Sequence, residues 1–410
     1  MTWFRRFGPG LLVTAAFIGP GTVMTASRAG AEYGFALIWA IVFSVLATIT
    51  LQWMAAKLGL VTRQGLTVNV QQALPFPAWK TISIFLMVSA IVVGNSAYQT
   101  GNVLGAALGL EILFGGNARY WSLLIGLLAA ILLQTSGQRY LQRLLVALVI
   151  IMSGLFVATA VWVQPNWNEC VSNLIRPSIP TNSLMTIMAL IGTTVVPYNL
   201  FLHATHVQAK WPNRNALHRS LREAAMDTSL AVTLGGVVTA AIVATAAAAF
   251  FATESASFTN ASELAAQLQP IAGRWATGIF AAGLFAAGLT SSLTAPWAAA
   301  IVLCDAWGWR ADDSDKRFKA AALAIVILGT SVACLFRQSP QATILFAQAT
   351  NGILLPLIAI FLLVTMNSKL LGEYRNGWFL NLLGGFVAVI AASLGALNVW
   401  KVIAALVSNT

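Results

Sequence analysis

Two apolar runs of this chain are each interrupted by a proline, with a polar side chain two residues after it. The first run reads Ile18-Gly19-Pro20-Gly21-Thr22 and the second Val195-Val196-Pro197-Tyr198-Asn199. Proline has no backbone N–H and clashes with the preceding helical turn, so carbonyls near residues 15–19 and 192–196 lose their helical partners. Such carbonyls, with the neighbouring hydroxyl and amide, can bind a cation or a polar solute. The alternative for either break alone is a simple proline kink.

These two runs belong to a chain that lipid must solvate. Of its 410 residues 58% are hydrophobic and 9% are charged, whereas roughly 25% charged residues are usual in soluble proteins. A spanning helix needs about 20 apolar residues, and about eleven such stretches can be placed. They cover residues 9–27, 36–57, 80–108, 119–136, 141–163, 184–209, 226–252, 274–305, 318–336, 341–366 and 377–400. The prediction is an all-α membrane protein that forms a single transmembrane domain over residues 1–410.

The formal charge of +11 marks one side of a membrane rather than a surface for nucleic acid. If the N-terminus is cytoplasmic, 17 of the 23 Lys and Arg residues fall in the inner loops, as the positive-inside bias requires. An odd number of spans then places Thr410 outside. We therefore predict an integral protein of a bacterial inner membrane, with the lipid bilayer and no nucleic acid as partner.

The two proline breaks occupy equivalent places in the chain. They lie in the first and sixth spans, which head two successive groups of five, as in transporters built from inverted repeats. The first repeat is predicted over about residues 8–163, the second over about 184–366, and an extra helix over about 377–400. In that arrangement Gly19–Thr22 and Val195–Tyr198 are unwound and face each other near the midplane, where they form a substrate site.

The third span combines small and polar residues. Gly101, Gly105 and Gly109 recur every four residues, a pattern that lets another helix approach closely. The polar side chains in this span either hold helices together or line a water path. They are Asn95, Ser96, Tyr98, Gln99 and Asn102.

Motifs around both breaks are specific enough to suggest a family. In the first two spans they are Gly8-Pro9-Gly10-Leu11-Leu12-Val13, Gly19-Pro20-Gly21-Thr22, Ala29-Gly30-Ala31-Glu32-Tyr33-Gly34 and Leu37-Ile38-Trp39. The sixth span has Val196-Pro197-Tyr198-Asn199-Leu200-Phe201-Leu202-His203, and weaker signals are Ser291-Ser292-Leu293-Thr294 and Ile344-Leu345-Phe346-Ala347-Gln348. Together they resemble the Nramp family of divalent-metal transporters. The resemblance implies a LeuT-type inverted five-helix repeat with broken helices 1 and 6.

The chain departs from the family pattern at the substrate site. Family members typically present Asp-Pro-Gly-Asn in the first helix and Met-Pro-His in the sixth. Here Gly19 replaces the aspartate, Thr22 the asparagine, Val196 the methionine and Tyr198 the histidine. The substrate-binding residues that we predict from the breaks and the resemblance are Ala16, Gly19, Thr22, Thr193, Val196, Tyr198, Asn199 and Gln348.

The changed residues bear on which metal could bind. Ala16 and Thr193 would contribute backbone carbonyls. At most two side chains, those of Thr22 and Gln348, would contact a metal. Mn²⁺ and Fe²⁺ prefer imidazole, carboxylate or thioether ligands, and neutral oxygens compensate poorly for a bare dication's lost hydration. We therefore expect weak or absent Mn²⁺ binding.

The proton path that the resemblance implies is also altered. The family usually has acidic residues on the third helix, and Gln99 and Asn102 stand there instead. An amide cannot release a proton near neutral pH. We predict that an inward proton gradient accelerates transport only weakly.

His203 and Asp227 remain at family-like positions, and each has two interpretations. His203 is either a proton relay or a satisfied interior histidine. Asp227 is either buried for a functional reason, because a charge at mid-membrane is costly, or lies at the cytoplasmic mouth of the seventh span, paired with Arg222 or Arg219. The candidate polar path comprises His203, Asp227, Gln99 and Asn102.

Three functions remain open for the chain. The first is a secondary-active carrier of a divalent cation that keeps much of its hydration shell. The second is a carrier of a neutral or anionic solute, which helix N-termini would favour. The third is a non-transporting scaffold or sensor, although unwound backbone in a membrane is costly without a use. No hydrolase triad, phosphate loop or metalloprotease motif occurs, so we predict neither an enzyme nor a cofactor other than a transported cation.

Overall fold

All regular secondary-structure elements in the described part of the chain are helices. A computed structural model describes residues 18–135, 139–251, 262–311, 315–335 and 339–408. Its α-helices are α1 Pro20–Tyr33, α2 Ile38–Thr62, α3 Leu66–Ala73, α4 Pro77–Phe114, α5 Ala118–Gln134, α6 Arg139–Val163, α7 Trp167–Ile175, α8 Leu184–Thr194, α9 Pro197–Lys210, α10 Leu217–Phe250, α11 Gln269–Ala272, α12 Ala276–Trp307, α13 Lys316–Leu335, α14 Pro340–Met366 and α15 Trp378–Ser408. Short 3₁₀ turns cover Arg214–Ala216, Glu263–Leu268, Gly273–Trp275 and Lys369–Tyr374.

The predicted spans agree with these helices. Within the described ranges, nine helical segments are long and apolar enough to cross a membrane, and Ala118–Gln134 is a shorter apolar helix. They match the second to eleventh predicted spans. Several helices are longer than the predicted spans. Helix α4, for example, begins at Pro77 and continues to Phe114, whereas the predicted span covers residues 80–108. Residues 9–17 of the first predicted span lie outside the described residues.

Glycines allow α4 to pack closely against three neighbouring elements. Gly105 lies against the ring of Pro20, and Gly109 lies against the backbone of α12, where an added Cβ would be 2.5 Å from the Ala281 carbonyl oxygen. Gly101 faces Ala347 of α14. The predicted small-residue ridge is therefore confirmed, and it holds α4 beside the first break.

A buried polar cluster joins α1 to the connection between α10 and α12. Gln267, on the 3₁₀ turn Glu263–Leu268, donates from Nε2 to Ser27 Oγ at 2.9 Å. The Thr245 hydroxyl donates to Gln267 Oε1 at 3.2 Å. Because all three side chains are buried, this cluster fixes the connecting segment onto α1 and α10.

Candidate functional site

The first break lies immediately before α1. Gly19 is extended, with φ −100° and ψ −178°, and the helix begins at Pro20, a position where the missing N–H removes no helical hydrogen bond. The Gly19 carbonyl accepts from the Thr22 and Val23 N–H groups at 3.1 and 3.2 Å. The predicted unwinding of Gly19–Thr22 is therefore too long, since Gly21 and Thr22 are already helical. Ala16 lies outside the described residues.

The second break separates α8 from α9. Helix α8 ends at Thr194, Val195 and Val196 are non-helical, and α9 begins at Pro197. The predicted break from Val195 to Tyr198 is thus wrong at its end, because proline at the first position of α9 restarts the helix before Tyr198. The Thr194 carbonyl accepts from the Thr48 hydroxyl of α2 at 3.3 Å.

The two breaks meet directly inside the protein. The hydroxyl oxygens of Thr22 and Thr193 are 2.7 Å apart, and both residues are fully buried. Beside them the rings of Tyr98 and Tyr198 pack edge to face, with centroids 5.4 Å apart and an interplanar angle of 71°. The first turn of α1 and the last turn of α8 therefore meet beside the two breaks, and the contact comes from Thr193 rather than from the predicted segment Val195–Tyr198.

Two side-chain amides of the predicted site are buried without hydrogen-bond partners among the described residues. Gln348 of α14 packs against Gly21, where an added Cβ would collide with its side chain. Neither amide atom of Gln348 or of Asn199 has a hydrogen-bond partner among the described residues. Since buried polar groups are nearly always paired, these amides are available to a ligand. Val196, by contrast, adds only a buried apolar side chain.

Three polar side chains pack against Gly19. An added Cβ on Gly19 would lie 3.1 Å from Ser291 Oγ, 3.6 Å from Tyr98 Oη and 3.9 Å from Asn102 Oδ1. Asn102, a predicted residue of the polar path, lies beside the first break. The sequence singled out Ser291 and Tyr98 as a weak motif and a polar helix residue, and it did not assign either to the site.

Gln99 has a structural partner on the neighbouring helix. Its Nε2 donates to the Ser292 carbonyl at 3.3 Å. Pro296 lies four residues further along α12, and its missing N–H leaves that carbonyl without its helical bond. Gln99 therefore satisfies a carbonyl that a proline has freed.

The remaining path residues lie away from the breaks. His203 is fully buried, with Nδ1 2.7 Å from Gln52 Oε1 and Nε2 3.5 Å from the Thr228 hydroxyl. Asp227 is partly exposed on α10. Arg219, one of its two predicted partners, forms an ion pair with Glu223 at 2.7 Å.

The site can therefore bind a ligand through hydroxyls, amides and carbonyls. No group of three or more His, Cys, Asp or Glu residues that could hold a metal occurs in the part of the chain that the structure describes. Two helices, α1 and α9, begin at the breaks, so their partly positive N-terminal ends also lie at the site. A helix that begins at Pro20 inside an apolar run, next to a span interrupted at Val195–Val196, is the arrangement of membrane transporters whose substrate site lies at discontinuous helices.

Comparisons with known proteins identify the family. The family described as "Natural resistance-associated macrophage protein-like" (Nramp) matches residues 10–401. The chain belongs to the Nramp family. It is similar to the divalent metal cation transporter MntH of Pectobacterium carotovorum subsp. carotovorum (strain PC1), at 26% identity over 399 residues, which cover 94% of this chain and 92% of that protein.

Solved structures show the same fold. A manganese transporter of Eremococcus coleocola superposes with a TM-score of 0.76 at 21% identity, covering 95% of this chain and 85% of that chain. Mhp1, a nucleobase-cation-symport-1 family transporter, superposes with a TM-score of 0.58 at 14% identity, covering 95% and 91%. The predicted family, the LeuT-type fold and the classification as a transporter rather than an enzyme are confirmed.

Proposed function

We propose that this protein is a secondary-active carrier that moves a divalent cation across the membrane by alternating access. The observation that carries this proposal is the meeting of the two breaks at the Thr22–Thr193 hydroxyl pair, beside the unpaired Gln348 amide. The relationship to MntH, which is named a divalent metal cation transporter, supports the class of substrate. The positive-inside distribution of Lys and Arg supports a cytoplasmic N-terminus.

The chemistry of the site favours a hard cation. Thr22, Thr193 and Gln348 offer neutral oxygens, and Mg²⁺ is a hard cation that takes oxygen ligands and keeps several of its waters. A soft or borderline metal would gain little here, because the site residues supply no imidazole, carboxylate or thioether. Mg²⁺ is therefore the first substrate to test.

The second candidate is a small anionic or neutral solute. It is favoured by one observation, that α1 and α9 both begin at the site and direct their N-terminal ends into it. Helix N-termini attract negative charge, although each contributes only about 0.3–1 kcal/mol when exposed to solvent. Absence of an acidic side chain at position 19 removes a charge that would repel an anion.

Uptake into proteoliposomes tests the proposal. Vesicles containing the purified protein are loaded with a Mg²⁺-sensitive dye, and Mg²⁺, Mn²⁺ and Co²⁺ are added outside in turn. We expect saturable Mg²⁺ uptake that falls in Thr22→Val, with Thr365→Val as a control for a buried threonine far along α14. Uptake of none of these cations, with anion-dependent swelling instead, would support the second candidate.

A further inference from the structure

Two aromatic rings meet at the boundary of the predicted site. Tyr98 of α4 and Tyr198 of α9 pack edge to face, with centroids 5.4 Å apart and an interplanar angle of 71°. Their exposed fractions are 1% and 0%. Edge-to-face packing at this separation is a favourable contact between aromatic rings, and two buried rings in such contact leave no passage between them for a solute.

Each ring also reaches one of the two breaks. The Tyr98 hydroxyl oxygen lies 3.6 Å from the position of an added Cβ on Gly19. Tyr198 is the second residue of α9, and a helical side chain leans toward the N-terminal end of its helix, which here is the second break. The tyrosine pair therefore joins the first break to the second.

The tyrosine pair lies on one side of the breaks and the threonine hydroxyl pair on the other. Thr193 precedes the second break on α8, whereas Tyr198 follows it on α9. On α4, Gly105 contacts the ring of Pro20 at the start of α1, and Tyr98 lies seven residues earlier, about 10 Å back along the helix axis. A substrate between the breaks would thus have the threonine hydroxyls on one side and the tyrosine rings on the other.

Helix α9 leads from the tyrosine pair to the side of the membrane on which α4 begins. Arg63, the residue that follows α2, donates from Nη1 to the carbonyl of Trp211, the residue that follows α9, at 2.6 Å. The ends of α2 and α9 are therefore adjacent, and α4 begins on the same side because only the short helix α3 lies between α2 and α4. The distribution of Lys and Arg predicts that this side is cytoplasmic.

We propose that Tyr98 and Tyr198 form a barrier between the substrate site and the side on which α9 ends, and that the two rings separate in each transport cycle. The inference rests on the proposed function, since only a transported solute has to pass between the rings. Contact between the rings closes the barrier, so the rings are required and their hydroxyl groups are not.

Cysteine accessibility tests the barrier without using the substrate. Val196→Cys places a reporter thiol at the second break, in a background without the three native cysteines, and a charged, membrane-impermeant thiol reagent is added to inside-out vesicles. Tyr98→Ala and Tyr198→Ala should each raise the labelling rate about 2- to 12-fold, the change in the open-to-closed ratio expected on loss of one edge-to-face pair. Each ring closes against the other, so either variant alone tests the barrier. Tyr98→Phe and Tyr198→Phe should keep the original rate because they keep the rings.

A second buried ring pair provides the matched control. Phe156 of α6 and Phe280 of α12 also pack edge to face, with centroids 6.4 Å apart, and both are fully buried. Phe280 lies eleven residues before Ser291 on α12, about 16 Å along the helix from the contact with the first break. Phe280→Ala should therefore leave the labelling rate unchanged.

The possible outcomes separate the barrier from the proposed function. Unchanged labelling in both tyrosine-to-alanine variants, an equal rise in Phe280→Ala, or a rise only in right-side-out vesicles would overturn the barrier and leave the proposed function standing. Faster labelling of the two alanine variants in a protein that transports no divalent cation would support the barrier and overturn the proposed divalent-cation transport.

Discussion

The hydroxyl pair between the breaks gives a prediction that separates structure from transport. Thr22→Val keeps the shape of the side chain and leaves the buried Thr193 hydroxyl without its 2.7 Å partner. An unsatisfied buried hydroxyl costs about 1–3 kcal/mol, a factor of about 5 to 150 in an equilibrium constant. The free energy of unfolding should fall by that amount, measured as a lower melting temperature in detergent.

The double variant Thr22→Val/Thr193→Val makes the test decisive. Replacing both partners by apolar groups of the same shape is nearly neutral for stability, so the melting temperature should recover. If the hydroxyls are substrate ligands, Mg²⁺ uptake should stay low, with a KM raised about tenfold or more. Recovery of uptake together with stability would refute the assignment of these hydroxyls to the substrate, and would give the pair a purely structural role.

Four further predictions follow from other parts of the molecule. Calorimetry should show weak or no Mn²⁺ binding by the wild-type protein, whereas Gly19→Asp should create a measurable signal because it places a carboxylate beside the breaks; micromolar wild-type binding would contradict this. His203→Ala should change the uptake rate without creating or abolishing proton coupling, and stoichiometric proton entry that vanishes in this variant, followed with a pH-sensitive dye, would show the reasoning to be mistaken. Gln267→Leu should lower the free energy of unfolding by about 1–3 kcal/mol, measured by thermal unfolding, because the buried Ser27 hydroxyl loses its partner; an unchanged melting temperature would argue against the buried cluster. Cys170 of α7 lies between the fifth and sixth spans, which is outside if the N-terminus is cytoplasmic, so it should react with an impermeant maleimide in intact cells, with Cys170→Ser as control; labelling only after lysis would reverse the predicted orientation.

The membrane spans could be predicted because lipid imposes a simple rule. A segment within hydrocarbon must satisfy the hydrogen bonds of all its backbone groups internally, so each long apolar run is expected to form a helix. The positions of both breaks followed in the same way from Pro20 and Pro197. Their lengths did not, because the sequence does not show that proline at the first position of α1 and α9 restarts the helix so soon.

The side chains around the breaks were only partly predictable. Thr22 and Gln348 were found because they belong to motifs that resemble the Nramp family. Thr193 was found because it lies just before the second break. Ser291 and Tyr98 reach the site from other helices, and their approach depends on how closely α4 and α12 pack. Such packing is a tertiary property that no local pattern of residues specifies.

Gln99 shows how one substitution on α4 is connected to a neighbouring helix. The resemblance implies an acid at or near this position, and the amide was interpreted as a break in a proton path. In the structure its Nε2 donates to the Ser292 carbonyl, which Pro296 has deprived of its helical partner. An ionised carboxylate has no proton to donate and would repel that carbonyl. The amide at residue 99 and the proline at residue 296 are therefore chemically compatible with each other, and an ionised acid at residue 99 would be incompatible with this contact. Gln99 therefore has a structural role in the contact between α4 and α12 that does not require a titratable group.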